Sequence, residues 1–326
     1  MLFKEVIGLE KIKKELVYGV AKKRIAHAQL FNGPKGSGKL ALAIAYARFI
    51  NCNSPKENDS CQECSSCLQF SKLSHPDFHV LYPVIKTANN KTPQSSDSVS
   101  KWTEYVLKNP YLSLNQWSDV YKEEFLEKLS DKKKEATIYS HQIKEINKKL
   151  SLKIFSAKYR VVLIWMPEKM NVETSNKLLK IFEEPPKGTV FLLVSETPKK
   201  LLATVMSRLQ EVKINDFTIE DKKEFLNKYN LTGDQLELLK SSIDLDFGKV
   251  IQLLNEDLQE IGLLEEFSAW MRFAYKTDIL GIVKWVDVIS TSGRKQQIAF
   301  LSYAIKIIRE CLIFNYTKRK VNFLFI

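Results

Sequence analysis

The sequence contains no run of about eighteen uninterrupted apolar residues, so it offers no candidate for a membrane-spanning helix. Its opening stretch, MLFKEVIGLEKIKKEL, mixes charge with apolar positions at helical spacing and lacks the apolar core of a secretory signal. A cytoplasmic location with no membrane partner is therefore expected. Cysteine is scarce, with five in 326 residues, and four of them lie between positions 52 and 67, which argues against a disulfide scaffold. No repeat at a fixed period is evident. Acidic side chains fall short of basic ones, 38 against 50, for a formal net charge of +12. A basic excess of this size favours a polyanionic neighbour, with nucleic acid the first candidate, although the lysines are scattered and form no single block.

Against these absences stands one organising stretch, Gly33-Pro34-Lys35-Gly36-Ser37-Gly38-Lys39-Leu40, between an apolar run (Ala28, Leu30, Phe31) and a helix-forming run over 40–50. Strand, glycine loop and helix in that order form a phosphate cradle, in which backbone N–H groups and a helix N-terminus face the anion. Gly33, Gly36, Gly38 and Lys39 fill the G-x-x-x-x-G-K frame. The frame normally closes with Ser or Thr, whose hydroxyl holds magnesium; here Leu40 stands, and an alkyl chain cannot coordinate a metal. A second loss accompanies it. The buried-strand run over 159–164 should end in acidic residues that hold the metal, and Trp165 and Met166 follow instead. ATP could dock through Lys39, but hydrolysis is not expected. Glu168 offers the nearest replacement acid, out of register and beyond Pro167. Ser195, at the end of the apolar run over 189–194, is expected to point toward a γ-phosphate.

Cys52, Cys61, Cys64 and Cys67 form a C-x8-C-x2-C-x2-C cluster. Two C-x2-C turns sharing Cys64, plus a cysteine from the preceding helix end, supply four thiolates for a tetrahedral zinc. A closed shell leaves no open coordination position, so such a zinc is structural. His75 and His79 lie nearby, but the cysteines already complete a shell. Trp102, Tyr105, Val106, Tyr111, Leu114, Trp117, Tyr121 and Phe125 recur at helical spacing among charges, which predicts the packing face of an insertion or an interface more readily than a base-stacking platform. Helical patterns follow over 199–206, 219–229, 232–242, 249–255, 258–277, 282–290 and 298–315. Arg208, just past the first of these, is a candidate arginine finger, a cation that enters a neighbouring subunit's nucleotide site.

Several motifs fall in one order: His27-Ala28-Gln29-Leu30-Phe31 before the glycine loop, the cysteine cluster after its helix, and His75-Pro76-Asp77. Asn176-Lys177-Leu178-Leu179-Lys180, Glu183-Glu184-Pro185-Pro186 and Ser207-Arg208 complete the set over residues 6 to about 210. In these the chain resembles the delta-prime family of bacterial DNA polymerase III clamp-loader subunits, of the AAA+ class. The resemblance implies an α/β P-loop AAA+ domain with a parallel sheet over 1–213, holding the zinc module (about 51–68) and the aromatic insertion (about 86–135). A small helical lid over 214–257 and an all-α collar over 258–326 would follow, the collar looking short at its apolar end. It further implies a ring with gamma/tau and delta subunits that opens a sliding clamp for loading onto primed DNA. Within that family the gamma type is the ATP motor and delta-prime carries a degraded site. Leu40, Trp165, Met166 and Gly248, the last near where a motor's lid would offer an arginine, depart toward delta-prime. Leu209 replaces the cysteine of the family's Ser-Arg-Cys, while Arg208 is kept. The resemblance assigns the insertion no role. Two other readings stay open: a gamma-type ATPase using Lys39 with Glu168, and a zinc-dependent DNA-binding module.

Overall fold

The computed structural model describes residues 1–87, 89–126, 133–228 and 247–291, together with 297, 300, 301, 303–305, 307–309, 311 and 312. Five strands, β1 (Ala28–Asn32), β2 (Phe78–Leu81), β3 (Arg160–Trp165), β4 (Thr189–Ser195) and β5 (Gln210–Lys213), form one parallel sheet in the order β2-β3-β4-β1-β5. Every residue of β1, β3 and β4 is buried, which is why β3 and β4 read as near-continuous apolar runs: a parallel sheet covered on both faces leaves no side for solvent. Side chains still alternate between two cores. Val161, Leu163 and Trp165 of β3, with Val190, Leu192 and Val194 of β4, join the core on one face. Val162 and Ile164, with Phe191 and Leu193, join the core on the other.

The first core is built against α1 (Glu10–Ala21) and α2 (Lys39–Ile50). The aromatic insertion belongs to the same core. Its helices α4 (Val99–Lys108) and α5 (Leu114–Phe125) bury Trp102, Val106, Trp117 and Tyr121 there, so the packing reading of those aromatics holds. Helix α3 (Ser65–Ser71) closes the cysteine loop. The opposite face is covered by α6 (Ser140–Leu150) and α7 (Val172–Glu183). Asn171 caps α7, its side-chain oxygen accepting the Thr174 N–H at 2.8 Å, and Pro185-Pro186 prevents the helix from continuing past Glu184.

Two differences from the sequence expectations stand out before the helical part. The helix expected over 199–206 contracts to α8 (Ala203–Met206), and an unforeseen edge strand, β5, follows it. Strand Gln210-Glu211-Val212-Lys213 is polar and largely exposed because only one of its edges pairs, with β1.

The chain divides into two compact units, Met1–Val250 and Ile251–Ile326. Helix α9 (Ile219–Lys228) belongs to the first. One continuous helix, α10 (Phe247–Tyr275), runs where spacing predicts two; Asn255-Glu256-Asp257 contains no glycine or proline to break it. In the second unit, α10 and α11 (Ile279–Thr291) contribute Trp270 and Trp285, stacked with ring centroids 5.4 Å apart, around a small core of Phe267, Phe300, Tyr303 and Ala304. The helix expected over 232–242 lies outside the described residues, and that over 298–315 is described only in part. Among the described residues, no helix is long and apolar enough to cross a membrane.

Candidate functional site

The glycine loop leaves β1 at Asn32, whose neighbours on either side are β4 and β5. Connections from β1 and β4 run to opposite edges of the sheet, so the loop sits at the topological switch point where α/β sheets bind ligands. Gly38 is the N-cap of α2 at φ 76°, a backbone conformation that favours glycine, and a Cβ there would lie 2.9 Å from Tyr111 Cε1. Gly33 is needed for a different reason: its Cβ would lie 2.6 Å from the Ile214 carbonyl oxygen. Gly36 also has positive φ. Lys39 is buried, and its Nζ donates to the Pro34 carbonyl at 2.7 Å, so the ammonium folds back onto its own loop.

At Gly36, Gly38 and Lys39 the cradle is crowded by protein, whereas its start at Gly33 and Pro34 borders an open cleft of about 790 Å³ shared with Glu196 and Lys213. Pro110, Tyr111 and Leu112 of the insertion meet Leu40, Trp165 and Met166 around the loop, and the cavity left between them is about 10 Å³. That is room for about one water. Leu40 and Trp165, 3% and 1% exposed, are core residues here. Trp165 lies against Trp102 at 6.2 Å, and Trp102 stacks on Tyr82 at 5.3 Å with 6° between the ring planes. Ser195 is fully buried and does not line the cavity; Val194 does. Strand alternation gives Ser195 the face of Phe191 and Leu193, opposite the glycine-loop helix, so the expected phosphate contact is corrected. Glu168 is likewise absent from the cavity wall. Its Oε1 accepts the N–H groups of Glu196 and Thr197 at 2.8 and 3.1 Å, tying down the chain after β4.

Sequence reasoning missed how the insertion bears on the site. Asn109 and Gln116 each donate a side-chain amide to the Gly248 carbonyl, both at 2.9 Å. The only sequence signal is an Asn-Pro turn between two aromatic helical runs; nothing in it tells that the turn meets Gly38 and Gly248.

Arg208 lies outside the cavity wall, after α8. Its guanidinium donates to the Thr204 carbonyl at 2.8 Å and pairs with Glu183 Oε1 at 2.5 Å, with side chains 35% and 50% exposed.

The cysteine cluster is a separate centre. One ligand atom from each of Cys52, Cys61, Cys64 and Cys67 lies within 4.8 Å of all the others, with Cys61 and Cys67 sulfurs 3.9 Å apart. Four sulfurs around a tetrahedral zinc at about 2.3 Å are about 3.8 Å apart, so this set can hold a metal such as zinc. Backbone N–H groups of Cys61, Cys64 and Cys67 donate to Cys52, Cys61 and Cys64 sulfurs at 3.2, 3.4 and 3.4 Å, the outer support expected for thiolate ligands. Burial pushes the Cys52 thiol up, whereas N–H groups of Cys64 and Glu63 pull Cys61 down toward the thiolate. No sulfur is spent in a disulfide, and Cys311 stands apart, exposed.

Sheet order, two covered faces, a glycine loop at the switch point and a following helical part define an AAA+-type domain. Residues 8–218 match the family described as DNA polymerase III, delta subunit, and the chain belongs to it. Among relatives, the delta' subunit of Pseudomonas aeruginosa DNA polymerase III is 30% identical over 183 residues, 56% of this chain and 41% of that one. Its Bacillus subtilis counterpart is 26% identical over 209 residues, 64% of this chain and 48% of that one. The tau subunit from Bacillus subtilis is 24% identical over 243 residues, 74% and 34% of the two chains. The matched segment thus spans less than half the length of each of these relatives. A solved gamma subunit-related protein from Thermotoga maritima has a TM-score of 0.38 at 15% identity, covering 92% of this chain and 83% of that one.

Proposed function

We infer that this chain is a non-hydrolysing, delta-prime-type subunit of a DNA polymerase III clamp loader, presenting Arg208 to ATP held by a neighbouring gamma/tau-type subunit. The observation that carries the reading is the glycine loop: beside Gly36, Gly38 and Lys39 the cavity walled by Leu40, Trp165 and Met166 is about 10 Å³, too small for a phosphate chain, and positions 40, 165 and 166, where magnesium-binding oxygens would stand, are apolar. Arg208, in contrast, is partly exposed, and its carboxylate partner, Glu183, lies at the surface beside the local Thr204 carbonyl and Ser207 hydroxyl contacts. Exposed ion pairs of this kind contribute about 0–1 kcal/mol, so Glu183 can give the guanidinium up to a more strongly charged phosphoryl group. An arginine acting in this way stabilises charge on the transferring phosphoryl group and needs no working site in its own subunit.

In this reading the zinc module is structural, 214–257 serves as lid and 258–326 as collar, delta completes the ring, and the sliding clamp and primed DNA are partners of the assembled complex in the cytoplasm. The test is a reconstituted complex carrying Arg208→Ala. DNA-stimulated ATP turnover is expected to fall by about 10³-fold. Glu183→Gln should leave it within a few fold. Unchanged turnover with Arg208→Ala removes the finger, and magnesium-dependent turnover by the purified chain alone would make it a gamma-type motor instead.

A further inference from the structure

The insertion does more at the glycine loop than fill space. Tyr111 lays its ring on the bare backbone of Gly38, the N-cap that would face a phosphate, and its Oη accepts the Ile7 N–H at 3.0 Å. The same ring meets Phe217, Phe225 and Phe247, with centroids at 6.4, 6.3 and 5.7 Å. On either side of it, Asn109 and Gln116 converge on the Gly248 carbonyl. Both amides are locked by their own loop: Asn109 Oδ1 accepts the Tyr111 N–H at 3.1 Å, and Gln116 Oε1 accepts the Ser113 N–H at 2.8 Å. Asn109, Tyr111 and Gln116 are all buried. One short segment therefore joins three parts of the first unit: the glycine loop, the N-terminal segment and the residues Phe217, Phe225, Phe247 and Gly248.

A nucleotide bound at a switch point has this same topology of contacts, phosphates on the loop and the rest of the molecule against what lies over it. We propose that residues 109–116 are an intramolecular stand-in for a nucleotide, closing the glycine loop and fixing the Phe217, Phe225 and Gly248 elements onto it independently of ATP or ADP. The inference rests on the reading that this loop is not a working ATP site, and extends it by naming the occupant. A tethered occupant faces the loop at an effective concentration far above that of a free ligand. Any nucleotide must first displace it, and its apparent affinity falls by the fraction of time the loop stands open.

The experiment uses the full chain, with ADP as the probe in equilibrium binding and in hydrogen exchange. Wild type should show no saturable ADP binding, and exchange in 217–228 and 247–250 should not change when ADP is added. Tyr111→Ala should bind ADP at least about tenfold more tightly than wild type, the gain vanishing when Lys39→Ala is added. Asn109→Ala with Gln116→Ala should speed exchange in 217–228 and 247–250. Should Tyr111→Ala fail to fold, Tyr111→Leu keeps apolar cover while shortening the side chain, and is expected to gain binding in the same direction. Saturable ADP binding by wild type with faster exchange in 109–116 would overturn the proposal, as would a folded Tyr111 variant that gains no binding. Saturable ADP binding by wild type, without turnover, would sink the stand-in and leave the Arg208 reading to its own test; loss of the Arg208 effect would do the reverse.

Discussion

Replacing Trp165 by Asp would restore a carboxylate where the sheet of a magnesium-dependent enzyme carries one, and the structure predicts that the protein will not tolerate it. Trp165 is 1% exposed, packed between Trp102 and the residues over the glycine loop. Truncating a buried tryptophan to alanine costs about 3–5 kcal/mol through lost transfer energy and the cavity left behind. An aspartate loses the same contacts and adds a carboxylate in mostly aromatic and aliphatic surroundings, where the Lys39 ammonium on the same cavity wall is already turned to the Pro34 carbonyl. The sum consumes much of the roughly 5–15 kcal/mol by which domains are stable. With a urea slope of about 2 kcal/mol/M, Trp165→Ala should lower the midpoint by about 2 M, and Trp165→Asp by more. The difference between the two variants carries its own sign. Burial raises the new carboxyl's folded pKa above its unfolded value, so its cost is least at low pH and grows as pH rises through the folded pKa. Urea titrations of both variants at pH 5 and pH 8 measure this. If Trp165→Asp stays within about 1 kcal/mol of wild type at pH 8, its carboxylate is solvated, and the closed glycine-loop cavity is the wrong description of the site.

Two further outcomes follow from other parts of the fold. Chelation, or Cys67→Ser, should remove bound zinc and expose the 52–67 loop to protease while the sheet stays folded; a metal present at 100 times its Kd adds about 2.7 kcal/mol, so thermal unfolding should drop by about 5–10 °C. An undiminished melting temperature after complete metal loss would contradict a structural role. Asp77 is buried, which alone would raise its pKa, but the N–H groups of Phe155, Ser156 and Ala157 donate to its carboxylate at 2.8, 2.8 and 2.9 Å and hold the pKa below the ordinary range. Its stabilisation is present above the unfolded value of about 3.9 and is lost as pH falls through the folded one. Asp77→Asn should therefore cost about 2–3 kcal/mol at pH 7 and far less near pH 2, read from urea midpoints; an equal cost at both would show that charge is not what matters.

Much of the layout was legible because it rests on local chemistry. The central residues of β3 and β4 form unbroken apolar runs, 161–165 and 190–194, and the structure buries them on both faces. Four cysteines at short spacing converge because two tight turns and a helix start bring them together. What escaped depends on the path of the chain through space. Strand β5 is polar because it is an edge, and no local pattern marks it. Ser195 was expected at the phosphate side because it ends a strand, but the alternation of the sheet turns it away, and only the pairing of β4 between β3 and β1 settles which face that is. Aromatic spacing in the insertion pointed to packing, yet it could not tell that Tyr111 reaches Gly38.

That contact changes how the departures from a motor's pattern are understood. As a sequence, Leu40, Trp165, Met166 and Gly248 are four separate losses. In the folded chain Leu40, Trp165 and Met166 line one small cavity with Tyr111, Trp165 rests on Trp102 from the same insertion, and the Gly248 carbonyl takes amides from both sides of Tyr111. A hydroxyl at 40 or carboxylates at 165 and 166 would be buried polar groups without a metal to satisfy them, and each would weaken the packing that holds the insertion down. Once the insertion covers the loop, apolar side chains at these positions become the stabilising choice. The loss of metal-binding oxygens and the seating of Tyr111 over Gly38 are thus two sides of one packing arrangement. Restoring the oxygens alone should destabilise the chain without yielding an ATPase.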